Sequence, residues 1–176
     1  MSTSDKTLLD PAALERLAGR VGRFLDPAPE GRGRRVAIAC ARFNGGVTTR
    51  LLEGALAALV ERGVEPHDLT VVWVPGAFEL PLVARALAAS APDAVIALGA
   101  VIRGDTGHYD FVAGECARGL QDVALSTGVP VVFGVLTTDT VDQALERSRA
   151  DAANKGREAA ETALATAAVL RGLSAR

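Results

Sequence analysis

The sequence predicts an α/β domain: a three-layer α/β/α sandwich around a four-stranded parallel sheet. Three observations point there. Between Arg35 and Leu173, short apolar runs rich in β-branched residues alternate four times with longer segments of helical spacing. The runs are almost continuously apolar, as expected of strands buried on both faces. The segments between them are long enough for right-handed helical crossovers, which cover both faces of a parallel sheet.

The elements follow in order. Residues 1–33 stand apart as an extension, and residues 34–176 form the domain. Within the extension, Pro11 to Phe24 has helix character, with Leu14, Leu17, Val21 and Leu25 on about one face. A stiff polar linker from Asp26 to Gly33 follows. The extension is either a docked appendage or partly without fixed structure. Arg35–Ala41 reads as the first strand and Val47–Arg62 as the first long helix, with Gly63 just past its end as a cap. Thr70–Val74 is the second strand, stopped by Pro75-Gly76. Ala77–Ser90 is the next helix, with Pro81 as an irregularity near its start. Ala94–Leu98 is the third strand, followed by a loop over 99–108. His108–Ser126 is a helix, Pro130–Leu136 the fourth strand, and Val141 to about Leu173 a helical stretch broken near Ala152–Gly156.

Composition narrows the function. A chain of 176 residues fits one domain with a sizeable core, and 49% of it is hydrophobic. A net charge of −2 gives no electrostatic reason to expect nucleic acid. Cys40 and Cys116 lack metal-ligand spacing and read as buried small hydrophobes in a reducing compartment. The segment MSTSDKTLLDP has no apolar core of signal-peptide type, and no run reaches membrane-spanning length. The expectation is a cytoplasmic protein with no membrane partner.

Ligands of open parallel sheets bind outside the carboxyl ends of the strands. The loops to search are therefore 42–47, 75–79, 99–108 and 137–140. The stretch Gly99-Ala-Val-Ile-Arg-Gly-Asp-Thr106 looks like most of a nucleotide-binding phosphate loop, but Asp105 occupies the essential lysine position. What survives is a helix N-terminus whose amides suit a single phosphate; an ordinary βα turn is the plainer alternative. His108 sits beside it, where proton transfer near neutral pH would be useful, although a histidine at a helix start is often only a cap. His67 lies in a surface turn. Phe43 and Asn44 occupy the first βα loop, Phe78 and Glu79 the second. An aromatic ring there can stack on a planar heterocycle and a carboxylate can accept from ligand hydroxyls; core packing and a helix-dipole role are the plainer readings. Phe133, inside the fourth strand, is core by default. Arg147 and Lys155, with Arg149 and Arg157, read as a solvated basic face.

Six motifs together resemble the lumazine synthase family, which has a flavodoxin-like sheet. They are Ala41-Arg-Phe-Asn44, Val74-Pro-Gly-Ala-Phe-Glu-Leu-Pro81, Leu98-Gly-Ala-Val-Ile-Arg-Gly104, His108-Tyr-Asp-Phe-Val112, Gly134-Val-Leu-Thr-Thr138 and Asn154-Lys-Gly156. No single one is decisive; six in order on the expected loops are specific. The resemblance implies condensation of a ribityl-aminopyrimidine with a butanone phosphate in riboflavin biosynthesis, with no metal, redox step or cofactor. It implies that Phe43 stacks on the pyrimidine, that Ala77, Phe78 and Glu79 line the ring and ribityl pocket, and that Ala100, Val101 and Ile102 bind the pyrimidine edge. Asn44 belongs to the first of these motifs and is counted with the binding residues. Asp105 and Thr106 would hold the phosphate and His108 would shuttle protons. Phe133 and Arg147 match positions supplied by a neighbouring subunit, and Lys155 a motif position close by.

The resemblance therefore implies a homopentamer, which in some members assembles into an icosahedral shell, and a functional link to riboflavin synthase. Shell formers have a short turn between the last two helices. Arg147 to Lys155 has that spacing, yet Ser148–Asn154 lacks the usual glycine- and lysine-rich turn. Family members also add an N-terminal edge strand to the next subunit's sheet; the helix-like stretch 11–25 and Pro27 and Pro29 depart from this. A flavodoxin-like flavin carrier fits less well, since Arg42-Phe-Asn-Gly-Gly46 is no hydroxyl-rich phosphate loop. A catalytically dead shell protein should have lost His108 or Arg147, and both are present.

Overall fold

A computed structural model describes residues 10–175. The first nine positions, which carry most of the segment judged unlike a signal peptide, lie outside the described residues, as does Arg176. Four parallel strands, β1 (Val36–Ala41), β2 (Leu69–Val74), β3 (Ala94–Ile102) and β4 (Val131–Thr138), form one sheet in the order β2-β1-β3-β4. The helices are α1 (Pro11–Ala18), α2 (Gly45–Glu61), α3 (Leu80–Ala88), α4 (His108–Thr127), α5 (Val141–Arg147) and α6 (Lys155–Ser174). The expected three-layer α/β/α sandwich is the observed one. Helices α2 and α6 cover one face and α3 and α4 the other.

The two cores follow from the period of two along each strand. Val36, Ile38 and Cys40 of β1 point into the α2/α6 core, with Ala94, Ile96 and Leu98 of β3. Ala37, Ala39 and Ala41 point into the α3/α4 core, with Val95 and Ala97. Both cysteines are buried. Burial pushes the Cys40 thiol up from 9.0 to about 11, opposed by its hydrogen bond to Thr48, and the Cys116 thiol up to about 12.

Close approaches set the helix positions. A Cβ at Gly156 would overlap the carbonyl oxygen of Leu51, and one at Gly54 would overlap the Asn154 amide. Asn154 makes this corner cohere. Its Oδ1 accepts from the amides of Gly156 (2.8 Å) and Arg157 (3.3 Å), capping α6. Its Nδ2 donates to the carbonyls of Arg50, Ser148 and Arg149 at 2.9–3.2 Å, fastening the α5–α6 turn to α2. On the other face, a Cβ at Gly119 would stand 2.8 Å from Pro81, so α4 lies directly on the start of α3.

Several expectations need correction. Strand β3 runs on through Gly99 to Ile102, so the loop is 103–107 and not 99–108. Gly99 is a strand residue flanked by Leu80 and Val135, each 3.3 Å from where a Cβ would be. The phosphate-loop spacing was thus a coincidence of strand sequence; β4 pairs with β3 as far as Ile102 and keeps it extended. Strand β4 likewise continues to Thr138. Helix α1 ends at Ala18 instead of Phe24 and buries none of its residues, so nothing tertiary sustains the apolar stripe further. Residues 77–79 form a 3-10 turn before α3, with Pro81 in the first turn, where its missing N–H costs nothing. The last helical break spans residues 148–154, earlier than expected, because Asn154 caps a new helix.

Part of the extension is docked. Arg23 donates to the carbonyls of Gly172 and Ala175, and Leu25 lies 3.3 Å from where a Cβ on Gly172 would be. Gly31 is buried, and its amide donates to the Arg62 carbonyl at 2.8 Å.

Two outcomes are expected. Gly156→Ala should lower unfolding free energy by about 2–4 kcal/mol in urea titration, because α2 and α6 must separate at a backbone contact. Above the unfolded thiol value the unfolded chain sheds protons that the folded chain keeps. Stability should therefore fall between about pH 9 and 12, and Cys40→Ala/Cys116→Ala should show a shallower alkaline decline in thermal unfolding.

Candidate active site

The chain runs β1 to β2 on one side of β1, then returns past β1 to β3 on the other. At that reversal the connections leave on opposite faces and open a crevice at the carboxyl ends of the strands. A cleft of ≈ 690 Å³ lies among the β1, β2 and β3 loops and the start of α4. Phe43, Ala77, Phe78, Glu79, Ala100, Val101, Ile102, Thr106 and His108 all line it.

Backbone geometry holds each group in place. The amides of Arg42 and Phe43 donate to the carbonyls of Val74 and Pro75 (2.8 and 3.0 Å), carrying the β1–β2 ladder one step beyond the strands. This presents Phe43 with 69% of its surface exposed. Phe78 is 58% exposed, so neither ring is the core residue that default packing would make it. Asn44 turns the chain into α2 with φ +57°, a left-handed conformation that asparagine tolerates. Its Nδ2 donates to the Ala100 carbonyl (2.9 Å), so it braces the β1 loop against β3 and does not line the cleft. Glu79 folds back over Gly76, where a Cβ would stand 3.2 Å from its carboxylate.

Residues 103–107 cross to α4, whose first residue is His108. The His108 amide faces the Thr106 hydroxyl at 3.4 Å. Both side chains are exposed at the N-terminus of a 20-residue helix, where unpaired amides and the helix dipole favour an anion. Asp105 is exposed in the same loop but does not line the cleft.

Phe133, Arg147 and Lys155 are not brought to this cleft. They line a second groove of ≈ 630 Å³ beside β4, which shares no lining residue with the first. Phe133 is 41% exposed on β4 and is not core. Arg147 bonds its own helix through the Gln143 carbonyl (3.1 Å), and Lys155 pairs with Glu158. Among the described residues no strand covers the outer edge of β4.

The sequence-matched family model for 6,7-dimethyl-8-ribityllumazine synthase covers residues 33–171. The chain belongs to this family. It is 59% identical over 143 residues to the 6,7-dimethyl-8-ribityllumazine synthase of Edwardsiella ictaluri, covering 80% of this chain and 92% of that one. To the protein of the same name from Pectobacterium atrosepticum it is 56% identical over 144 residues, covering 79% and 91%.

Within this family member, the cleft also contains Tyr109, Phe111 and Val112, which sequence reasoning placed in a motif without counting them as site residues. Phe111 is 72% exposed, and its position three residues into α4 beside His108 was the available signal. Since Phe43 buries little surface, Phe43→Ala should leave unfolding free energy within about 0.5 kcal/mol of the parent. It should weaken binding of a lumazine ring by about two- to tenfold in calorimetric titration.

Proposed function

We propose that the cleft between β1, β2 and β3 holds both substrates of the family reaction and that a neighbouring copy of the chain completes it. The chain is a 6,7-dimethyl-8-ribityllumazine synthase, a transferase of riboflavin biosynthesis. It condenses 5-amino-6-(D-ribitylamino)uracil with 3,4-dihydroxy-2-butanone 4-phosphate. The observation that carries the site assignment is one cleft presenting exposed aromatic rings, a carboxylate, a histidine and an amide-rich helix start together.

Phe43 and Phe78 offer flat apolar surfaces to the pyrimidine, the end of β3 at Ala100–Ile102 meets its edge, and Glu79 accepts from ribityl hydroxyls. Asn44 acts indirectly, by fixing the loop that bears Phe43. The amides of Asp105 and Thr106, with the Thr106 hydroxyl, hold the phosphate. The pyrimidine amine adds to the ketone and water leaves, giving an imine. Loss of a proton from carbon then expels phosphate, and the second amine closes the ring with loss of another water. His108 moves these protons at the mouth of the phosphate loop. Holding two reactants in one cleft supplies much of the acceleration.

Phe133, Arg147 and Lys155 stand apart from the cleft in their own chain, which supports their acting on the site of the next copy. There Phe133 would face the ring, and Arg147 would stabilise departing phosphate, with Lys155 nearby. The working unit in this reading is a homopentamer, with the seven-residue turn 148–154 compatible with pentamers building an icosahedral shell. The reading places the enzyme in the cytoplasm, without nucleic-acid or membrane partners, and links it to riboflavin synthase, which consumes its product. No described helix is long and apolar enough to cross a membrane.

The test is lumazine formation followed by absorbance. His108→Ala and Arg147→Ala should each be strongly impaired alone. Co-assembled in equal amounts, they should recover on the order of a quarter of wild-type activity, since random pairing leaves that share of interfaces with both groups intact. No recovery from mixed assemblies would place Arg147 in its own chain's site or outside any site.

A further inference from the structure

Arg103 is the first residue beyond β3, and its bonds run in two directions. Its amide donates to the Thr138 carbonyl (2.9 Å), ending the β3–β4 ladder. Its Nε donates to Asp139 at 3.0 Å, and a terminal nitrogen donates to Asp110 in the first turn of α4 at 3.3 Å. The guanidinium carbon lies 4.0 Å from the centre of the Tyr109 ring, which lines the cleft. Beyond Asp139 the chain of bonds continues. The Asp139 amide donates to the Gln143 side chain at 3.0 Å, and the Gln143 carbonyl accepts from Arg147.

We propose that Arg103 is a positioning residue that ties the phosphate loop to the helix carrying Arg147. One guanidinium thereby orients two phosphate-binding elements that serve different sites. The assignment rests on the reading that residues 105–106 hold the butanone phosphate.

The chemistry explains why arginine stands here. Loop 103–107 makes few bonds of its own, and all five of its residues are exposed. Its ends are set by Arg103 on one side and α4 on the other. A planar fork can bond two carboxylates in different directions while its face rests on an aromatic ring; an ammonium cannot do all three. Both ion pairs are exposed and add little to global stability. Their joint effect is on where the loop and the β4–α5 turn stand relative to each other. A displacement there of about 1 Å is enough to impair a reaction that depends on placement.

The test is steady-state kinetics on the assembled enzyme, varying each substrate with the other saturating. Arg103→Ala should raise KM for the butanone phosphate about tenfold and lower kcat, while KM for the pyrimidine stays within about twofold. Arg103→Lys should not restore the parent values. Asp139→Asn keeps an acceptor oxygen and should stay near wild type; Asp139→Ala should follow Arg103→Ala. Thr106→Ala serves as the reference for the phosphate site. If it raises the phosphate KM and Arg103→Ala does not, the positioning role is wrong and the phosphate loop stands. If Thr106→Ala itself has no effect, the phosphate-loop reading fails and takes this inference with it. Full rescue by lysine, or an equal rise in both KM values with a lowered unfolding temperature, would also overturn it.

Discussion

Strand β1 must bury both faces and both edges at once, and most of the molecule is arranged to let it do so. All six of its residues are buried, with β2 bonded along one edge and β3 along the other. A strand in that position can be covered only by helices on both sides, since lateral pairing satisfies its amides but not its side chains. The chain therefore leaves β1 over one face through α2 and returns over the other through α3. The reversal that makes this possible also leaves the crevice at the carboxyl ends. The cleft lined by Phe43, Phe78 and His108 is a by-product of the way the central strand is buried.

Small residues make the covering tight. Ala37, Ala39 and Ala41 on one face, and Gly134 opposite α6, allow helices to approach the sheet closely. The α2–α6 corner carries the same principle further, with Gly54 and Gly156 admitting backbone against backbone and Asn154 satisfying five polar groups from one side chain. That corner decides where α5 stops and α6 begins. It thus fixes Arg147 and Lys155 beside β4, although none of its bonds touches a site residue's charged end. Arg103 performs a comparable service at the carboxyl end of β4. The positions of the charged groups are inherited from packing several residues away.

The legibility of the site varied with the physics of each part. Buried strands declare themselves by continuous apolar runs, so β1 to β4 were readable. Their ends were not, because Gly99–Ile102 and Thr137–Thr138 are extended through mutual pairing and carry no strong local signal. Phe43 and Phe78 could be located on the right loops, but an isolated phenylalanine gives no sign of being exposed; that depends on what its neighbours leave uncovered. Asn44 was recognised as a site residue through its motif. The hydrogen bond it makes to Ala100 from a left-handed turn requires a partner 56 positions away, which its motif does not record. Tyr109 and Phe111 were passed over because an aromatic on a helix resembles core until the helix's exposed side is known.

The amino-acid sequence alone determined the α/β class, the three crossovers between its four strands, the end of the sheet to search for a cleft and, through six ordered motifs, the family. These are properties of local pattern and of the few topologies a parallel sheet permits, so they survive without coordinates. Tertiary structure alone decided that Phe133, Arg147 and Lys155 line a different groove from His108, and that Arg103 links the two regions. Those facts depend on side chains from separate elements meeting in space, and no periodicity along one segment records which distant segment it will meet.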